Sequence, residues 1–86
     1  MMFETEIVDI RLHSRADGRS LWQVSLLQTE FRSGDTGVLR ARAKSGASIE
    51  IAVIAVDADE EGVLWHMLEK PLLAGTAIVG SITGAR

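Results

Sequence analysis

The chain has no cysteine, no tyrosine and a single proline, Pro71. Without cysteine there is no disulfide framework, no thiolate metal site and no thiol nucleophile, so packing or association must stabilise the fold. An excess of positive charge is also missing. The net charge is -3, with seven basic and six acidic groups before residue 45 and two basic and six acidic groups after it. A general nucleic-acid binder is basic on balance, so nucleic acid is not expected as a partner.

No long apolar run is present. The least polar stretch, "PLLAGTAIVGSITG", covers about 14 residues where a membrane-spanning helix needs about 20. The opening "MMFETEIVDI" puts Glu4 and Glu6 where a secretory signal needs a basic start and an apolar run. The expectation is a cytoplasmic protein with no membrane partner.

What is present describes a folded chain. Hydrophobic residues make up 47% and charged residues 24% of 86 positions, which suits one globular domain spanning 1–86. A chain of this size buries roughly 60 to 65% of its unfolded surface. Strand-like segments recur between glycine-bearing turns: "FETEIVDIRLHS", "SLWQVSLLQTEF", "VLRARA", "ASIEIAVIAV", "VLWHMLE" and "GTAIVGSIT". The pattern predicts an all-β fold, a single small barrel or sandwich of about six mostly antiparallel strands joined by tight hairpins.

Two segments also carry helical features. "SLWQVSLLQTEF" has Ser20 and Gln23 placed as a capping box. "DADEEGVLWHMLEK" has Asp57 or Asp59 as N-cap, acids in its first turn and Pro71 beyond its end, which allows one short helix near 58–69. Gly62 favours a turn and a strand there instead.

A slip of one residue inverts every side chain of a strand, so apolar matching predicts register. A three-residue loop Ala16-Asp17-Gly18 sets Leu12 opposite Trp22, Ile10 opposite Val24 and Val8 opposite Leu26. Gly18 then takes the left-handed position of a type I turn with a bulge, and Trp22 points into the core. The same rule in "VLRARAKSGASIEIAV" gives the loop Lys44-Ser45-Gly46, with Ala41 opposite Ile49 and Leu39 opposite Ile51. Its other face sets Arg40 across from Glu50 and Arg42 across from Ser48.

Continued to its open end, the first hairpin matches Phe3 with Phe31, Thr5 with Thr29 and Ile7 with Leu27 on the second face. Soluble monomers rarely leave a large apolar patch exposed. The rest of a closed barrel, a second copy or an apolar ligand must cover it. The expected interface of a homo-oligomer is therefore Phe3, Ile7, Leu27 and Phe31.

Three constellations bear on chemistry. In "DADEEG", Asp57, Asp59 and Glu61 alternate like the first, third and fifth ligands of an EF-hand loop, and Gly62 stands sixth. The twelfth position is Leu68 where a bidentate glutamate is required, which leaves only a weak cation candidate. In "RLHSRADGRS", Arg11, His13, Arg15 and Arg19 gather donors at one end of the molecule. Guanidinium forks suit phosphate or carboxylate, so this end is a candidate for a small anionic ligand or an acidic partner surface. It also complements the Asp57–Glu61 tip of a neighbouring copy.

Arg11 and Arg15 have a spacing similar to the Arg-x-x-x-Arg of PilZ domains, small β-barrels that hold a cyclic dinucleotide. The Asp/Asn-x-Ser-x-x-Gly that completes that motif has no counterpart here; in "FRSGDTG", Phe31 stands in place of the acid. The two histidines, His13 and His66, show no serine and carboxylate partners in the pattern. No catalytic residue, cofactor or nucleotide loop is read. The expectation is a self-associating binding or assembly module, with an anion-sensing module as second reading and an enzyme as third.

Overall fold

The computed structural model describes residues 2–42 and 45–85. Seven antiparallel strands account for most of them: β1 Met2–Ala16, β2 Arg19–Leu26, β3 Asp35–Arg42, β4 Ser48–Val53, β5 Ala55–Ala58, β6 Leu64–Leu68 and β7 Ala77–Ala85. No helix occurs among the described residues, and none is long and apolar enough to cross a membrane. The alternative of a helix near 58–69 is corrected to a turn at 59–62 followed by β6. The seventh strand arises because "ASIEIAVIAV" breaks at Ile54 into β4 and β5.

The strand order is β4-β3-β7-β1-β2-β6-β5. Strand β1 belongs to two halves, pairing through Met2–Glu6 with β7 and through Ile7–Ala16 with β2. The run 48–58 does the same, with β4 on β3 and β5 on β6. Two four-membered layers thus share two corner segments, and the sheet rolls up without a ladder closing it. Corners in such folds are made where a strand bends and changes partners. At the β1 corner the amide of Leu27 donates to Glu6 O at 3.0 Å, and that of Ile7 to Thr76 O at 2.9 Å.

Two bulges in β1 decide which residues face inward. Register with β2 shifts between Ile7 and Asp9 and between Leu12 and Ser14, leaving Val8 and His13 as the extra residues. Before Val8 the inward positions are odd, with Phe3 half-buried and Ile7 1% exposed; after it they are even, beginning with Ile10. The two apolar sets assigned to opposite faces therefore enter one core, with Val24, Phe31, Leu39, Ile51, Val53, Val56, Leu68 and Ile78.

The pairings Leu12–Trp22 and Ile10–Val24 occur as expected. The turn between them is corrected. Ala16 pairs with Arg19, leaving a two-residue Asp17-Gly18 turn with φ of 52° and 75°. Two positive φ values mark a type I′ turn, which Asp-Gly suits, and the His13 bulge restores the register. Leu26 lies opposite Ile7, not Val8. Strand β2 ends at Leu26, so Thr5–Thr29 and Ile7–Leu27 are not strand pairs.

The second hairpin follows its expected register at all four pairs, with Gly46 at φ 89°. Lys44 lies outside the described residues. Arg40 pairs with Glu50 as read.

Aromatic rings fill the space left by two glycines. Phe3 and Phe31 meet edge to face with centroids 5.7 Å apart. The Phe3 ring covers Gly80, where a Cβ would come within 2.6 Å of it; Phe31 covers Gly37, where a Cβ would also meet Ser81 O. Glycine lets these rings lie directly on the backbone, and a Cβ at either position would force a neighbour to move.

Candidate functional site

The arginine end does not form one cluster. Directly paired residues share a face, so Arg11, opposite Gln23, and Arg15, opposite Ser20, lie on opposite faces of the hairpin. The His13 bulge is the cause. Arg19 shares the outer face with Gln23 and borders a shallow depression of about 580 Å³ with Ser14, Leu21 and Glu69. His13 is exposed, its Nδ1 3.2 Å from Ser14 Oγ.

Arg11 is bound into its own chain. Its guanidinium carbon lies 3.8 Å from the centroid of the Trp65 ring, and its Nε donates to Gln23 Oε1 at 2.9 Å. Trp65 in turn donates from Nε1 to Asp59 Oδ2 at 2.9 Å. Asp59 Oδ1 accepts the amides of Glu61 and Val63, each at 2.9 Å. The indole bond foremost, then the Val63 amide, holds the Asp59 carboxyl below the usual carboxylate range; the charge of Arg11 acts in the same direction.

This arrangement keeps Asp59 ionised and closes the β5–β6 turn. It does not build a cation site: both oxygens of Asp59 are engaged, and no three His, Cys, Asp or Glu side chains converge among the described residues. Asp57 and Glu61, the other two members of the weak metal candidate, are exposed. Within one chain Arg11 and Asp59 are linked through Trp65, which engages one residue of the basic end and one of the acidic turn.

The β2–β6 ladder ends at the Trp22–Leu68 pair, and beyond it the β1–β2 hairpin continues as an arm with no further strand pairing among the described residues. Leu12 is 45% exposed, and Trp22, expected in the core, is half-buried. Arg15 stands on the same face, its Nε at a long 3.4 Å from Ser20 Oγ. The one ion pair among the described residues joins Arg40 and Glu50, so Arg15 and Arg19 have no carboxylate partner there.

The four residues assigned to an interface divide three to one. Phe31 and Ile7 are 1% exposed and Phe3 packs against the core, so the chain covers them itself. Leu27 remains 67% exposed. The physical reason is the Val8 bulge, which turns Phe3 and Ile7 inward.

His66 is buried with both ring nitrogens engaged. A carbonyl only accepts, so Nδ1 carries the proton toward Val24 O at 3.0 Å, and Nε2 accepts from the Thr29 hydroxyl at 2.9 Å. Thr29 Oγ1 also accepts the Phe31 amide at 3.0 Å. Burial pushes the His66 pKa down, opposed by the bond to Val24, so the ring is neutral. It ties the segment after β2 to the core, beneath a Phe31 ring 5.1 Å away.

Sequence reasoning missed the Arg11–Trp65–Asp59 stack and the Thr29–His66 bond. For the first a signal existed: Asp59 three residues before Gly62 is the signature of a tight turn. For the second, a sequence separation of 37 leaves none. Compared with known protein families, with curated proteins and with solved structures, the chain matches none.

Proposed function

We propose that the protein is a docking module whose β1–β2 arm receives an acidic partner surface. The observation that carries this reading is the inner face of the arm. There Leu12 and Trp22 continue the core beyond its cover, and Arg15 stands beside them without a carboxylate. An aromatic side chain flanked by a guanidinium suits a partner segment that carries an apolar side chain next to an Asp, a Glu or a phosphate. The paired strands hold these groups in register, which lowers the ordering cost of presenting them.

A compact anion pocket is a weaker reading. Arg11, Arg15 and Arg19 do not converge, and Glu69 on the wall of the Arg19 depression opposes an anion. No catalytic role is proposed for either histidine.

Titration with a synthetic peptide rich in glutamate and leucine, followed by amide NMR shifts, tests the reading. Shifts at Leu12, Arg15 and Trp22 that disappear in Arg15→Glu are expected. Absence of shifts at about millimolar peptide, or shifts confined to other strands, overturns it.

A further inference from the structure

The outer face of the other layer, β1-β7-β3, is ordered in three rows. Strand pairing aligns Met2, Ser81 and Val38 in the first and Glu4, Val79 and Arg40 in the second. In the third, Glu6 stands beside Ala77, and Arg42, one residue beyond the Ala41–Ile78 pair, flanks Ala77 on the other side. The middle strand thus presents small or short side chains, with two acids along one flank and two arginines along the other. A depression of about 550 Å³ runs between Glu4 and Arg40 over Ala77 and Val79. With neighbouring strands about 4.8 Å apart, the flanking charges stand roughly 10 Å apart across β7.

We infer that two copies of this chain pack face to face through β1, β7 and β3, related by a twofold axis running along β7. Such an axis places residues on the β1 flank of one copy over the β3 flank of the other. Glu4 then meets Arg40, Glu6 meets Arg42, and Met2 meets Val38, and symmetry repeats each contact. All three rows are complementary under this one operation, as an isologous interface requires. A twofold axis across the strands instead would superpose Glu4 on Glu4 and Arg40 on Arg40.

The individual residues fit this role. Glu4, Glu6, Arg40 and Arg42 are all exposed, and Met2 is 72% exposed. Arg40 is shared with Glu50, whereas Arg42 faces Ser48 and has no carboxylate opposite it. Ala77, Val79 and Ser81 allow close approach of the two sheets, which pack about 10 Å apart.

The rows cover roughly 250 Å² of footprint, taking three strands at about 4.8 Å and five residues at about 3.4 Å. That is below the roughly 800 Å² per partner of a standard stable complex. An interface of that size makes a weak dimer, and its charged rows make it salt-sensitive. The inference does not depend on the arm, and it gives each assembly two arms.

Sedimentation of the full chain in low salt, with Glu6→Arg and Arg42→Glu, tests it. The parent is expected to dimerise, with affinity falling about tenfold or more as salt rises past the point where the Debye length is about 10 Å. Each variant alone sets like charges against each other twice and is expected to be monomeric. In an equimolar mixture the arginine introduced at position 6 of one variant meets the glutamate introduced at position 42 of the other. The unchanged Arg42 and Glu6 pair at the symmetry-related contact, so the mixture is expected to regain the dimer. Recovery on mixing also shows that both variants are folded. A parent that stays monomeric at about 1 mM, a dimer that either variant preserves, or a mixture of folded variants that stays monomeric overturns the inference.

Discussion

The guanidinium of Arg11 lies over Trp65, its carbon 3.8 Å from the ring centroid, and shields a tryptophan that the strand alternation places on the outer face of the layer. Trp65 is only 9% exposed despite that position. Arg11→Ala is expected to cost about 1 to 2 kcal/mol, from the cation–π contact and the lost partner of Gln23. The checks are urea unfolding and a red shift of tryptophan emission. An unchanged midpoint and an unchanged spectrum would show that the stack is incidental.

Gly80 and Gly37 differ in what stands over them. A Cβ at Gly80 meets the edge of the half-buried Phe3 ring, which has room to tilt, so Gly80→Ala is expected to cost about 1 to 3 kcal/mol. At Gly37 the Cβ meets the Ser81 carbonyl as well as the Phe31 ring. Backbone cannot yield in the same way, so Gly37→Ala is expected to be the more damaging of the two. Thermal melting of both variants ranks them, and the reverse order would contradict the packing.

His66 makes stability depend on pH. Its pKa in the fold is lowered from its ordinary 6.5 by burial, so the unfolded chain binds the proton more readily. This contribution is fully present above the unfolded value and is lost as pH falls below 6.5 toward the folded value. The unfolding midpoint in urea is expected to drop between about pH 7.5 and pH 5.5, and His66→Gln is expected to flatten that part of the profile. A parent profile already flat there would place the ring in water.

Thr29→Val keeps the shape of the Thr29 side chain but removes the hydroxyl that donates to His66 and accepts the Phe31 amide. Leaving these buried groups unpaired is expected to cost about 1 to 3 kcal/mol. Hydrogen exchange at Phe31 is expected to accelerate in this variant, and unchanged protection would mean that the segment after β2 is held by packing alone.

Deleting His13 removes the bulged residue while keeping the Asp17-Gly18 turn and the pairs Leu12–Trp22 and Ser14–Leu21. The cost is expected to be about 1 kcal/mol or less, within the range of an ordinary surface change. Cross-strand contacts between Leu12 and Trp22 are the check. Their loss would mean that the bulge sets the register and does not merely correct it.

The second hairpin was legible down to single pairs, because one register alone aligns Leu39 with Ile51 and Arg40 with Glu50 and the strands run without interruption. The first was legible only in its middle. Apolar matching demands one residue more in β1 than a two-residue turn allows, and a three-residue loop and a two-residue turn with a bulge at His13 satisfy that demand equally well. The expected site suffered from the same ambiguity. Arg11 and Arg15 appear as neighbours on one face by simple alternation, and the bulge separates them.

Composition, alternation and turn residues by themselves determined that the fold is all-β, that its strands are antiparallel and where most of them lie. Those are consequences of local sterics and of a side-chain period of two, and they act within a few residues. Only the tertiary structure decided which faces are inside. A single extra residue at Val8 turns Phe3 and Ile7 from an apparent outer patch into core, and the closing of β1 onto both β7 and β2 gives them partners. Such a bulge costs little locally and is selected by the burial it permits across the whole roll, which no short window of sequence contains.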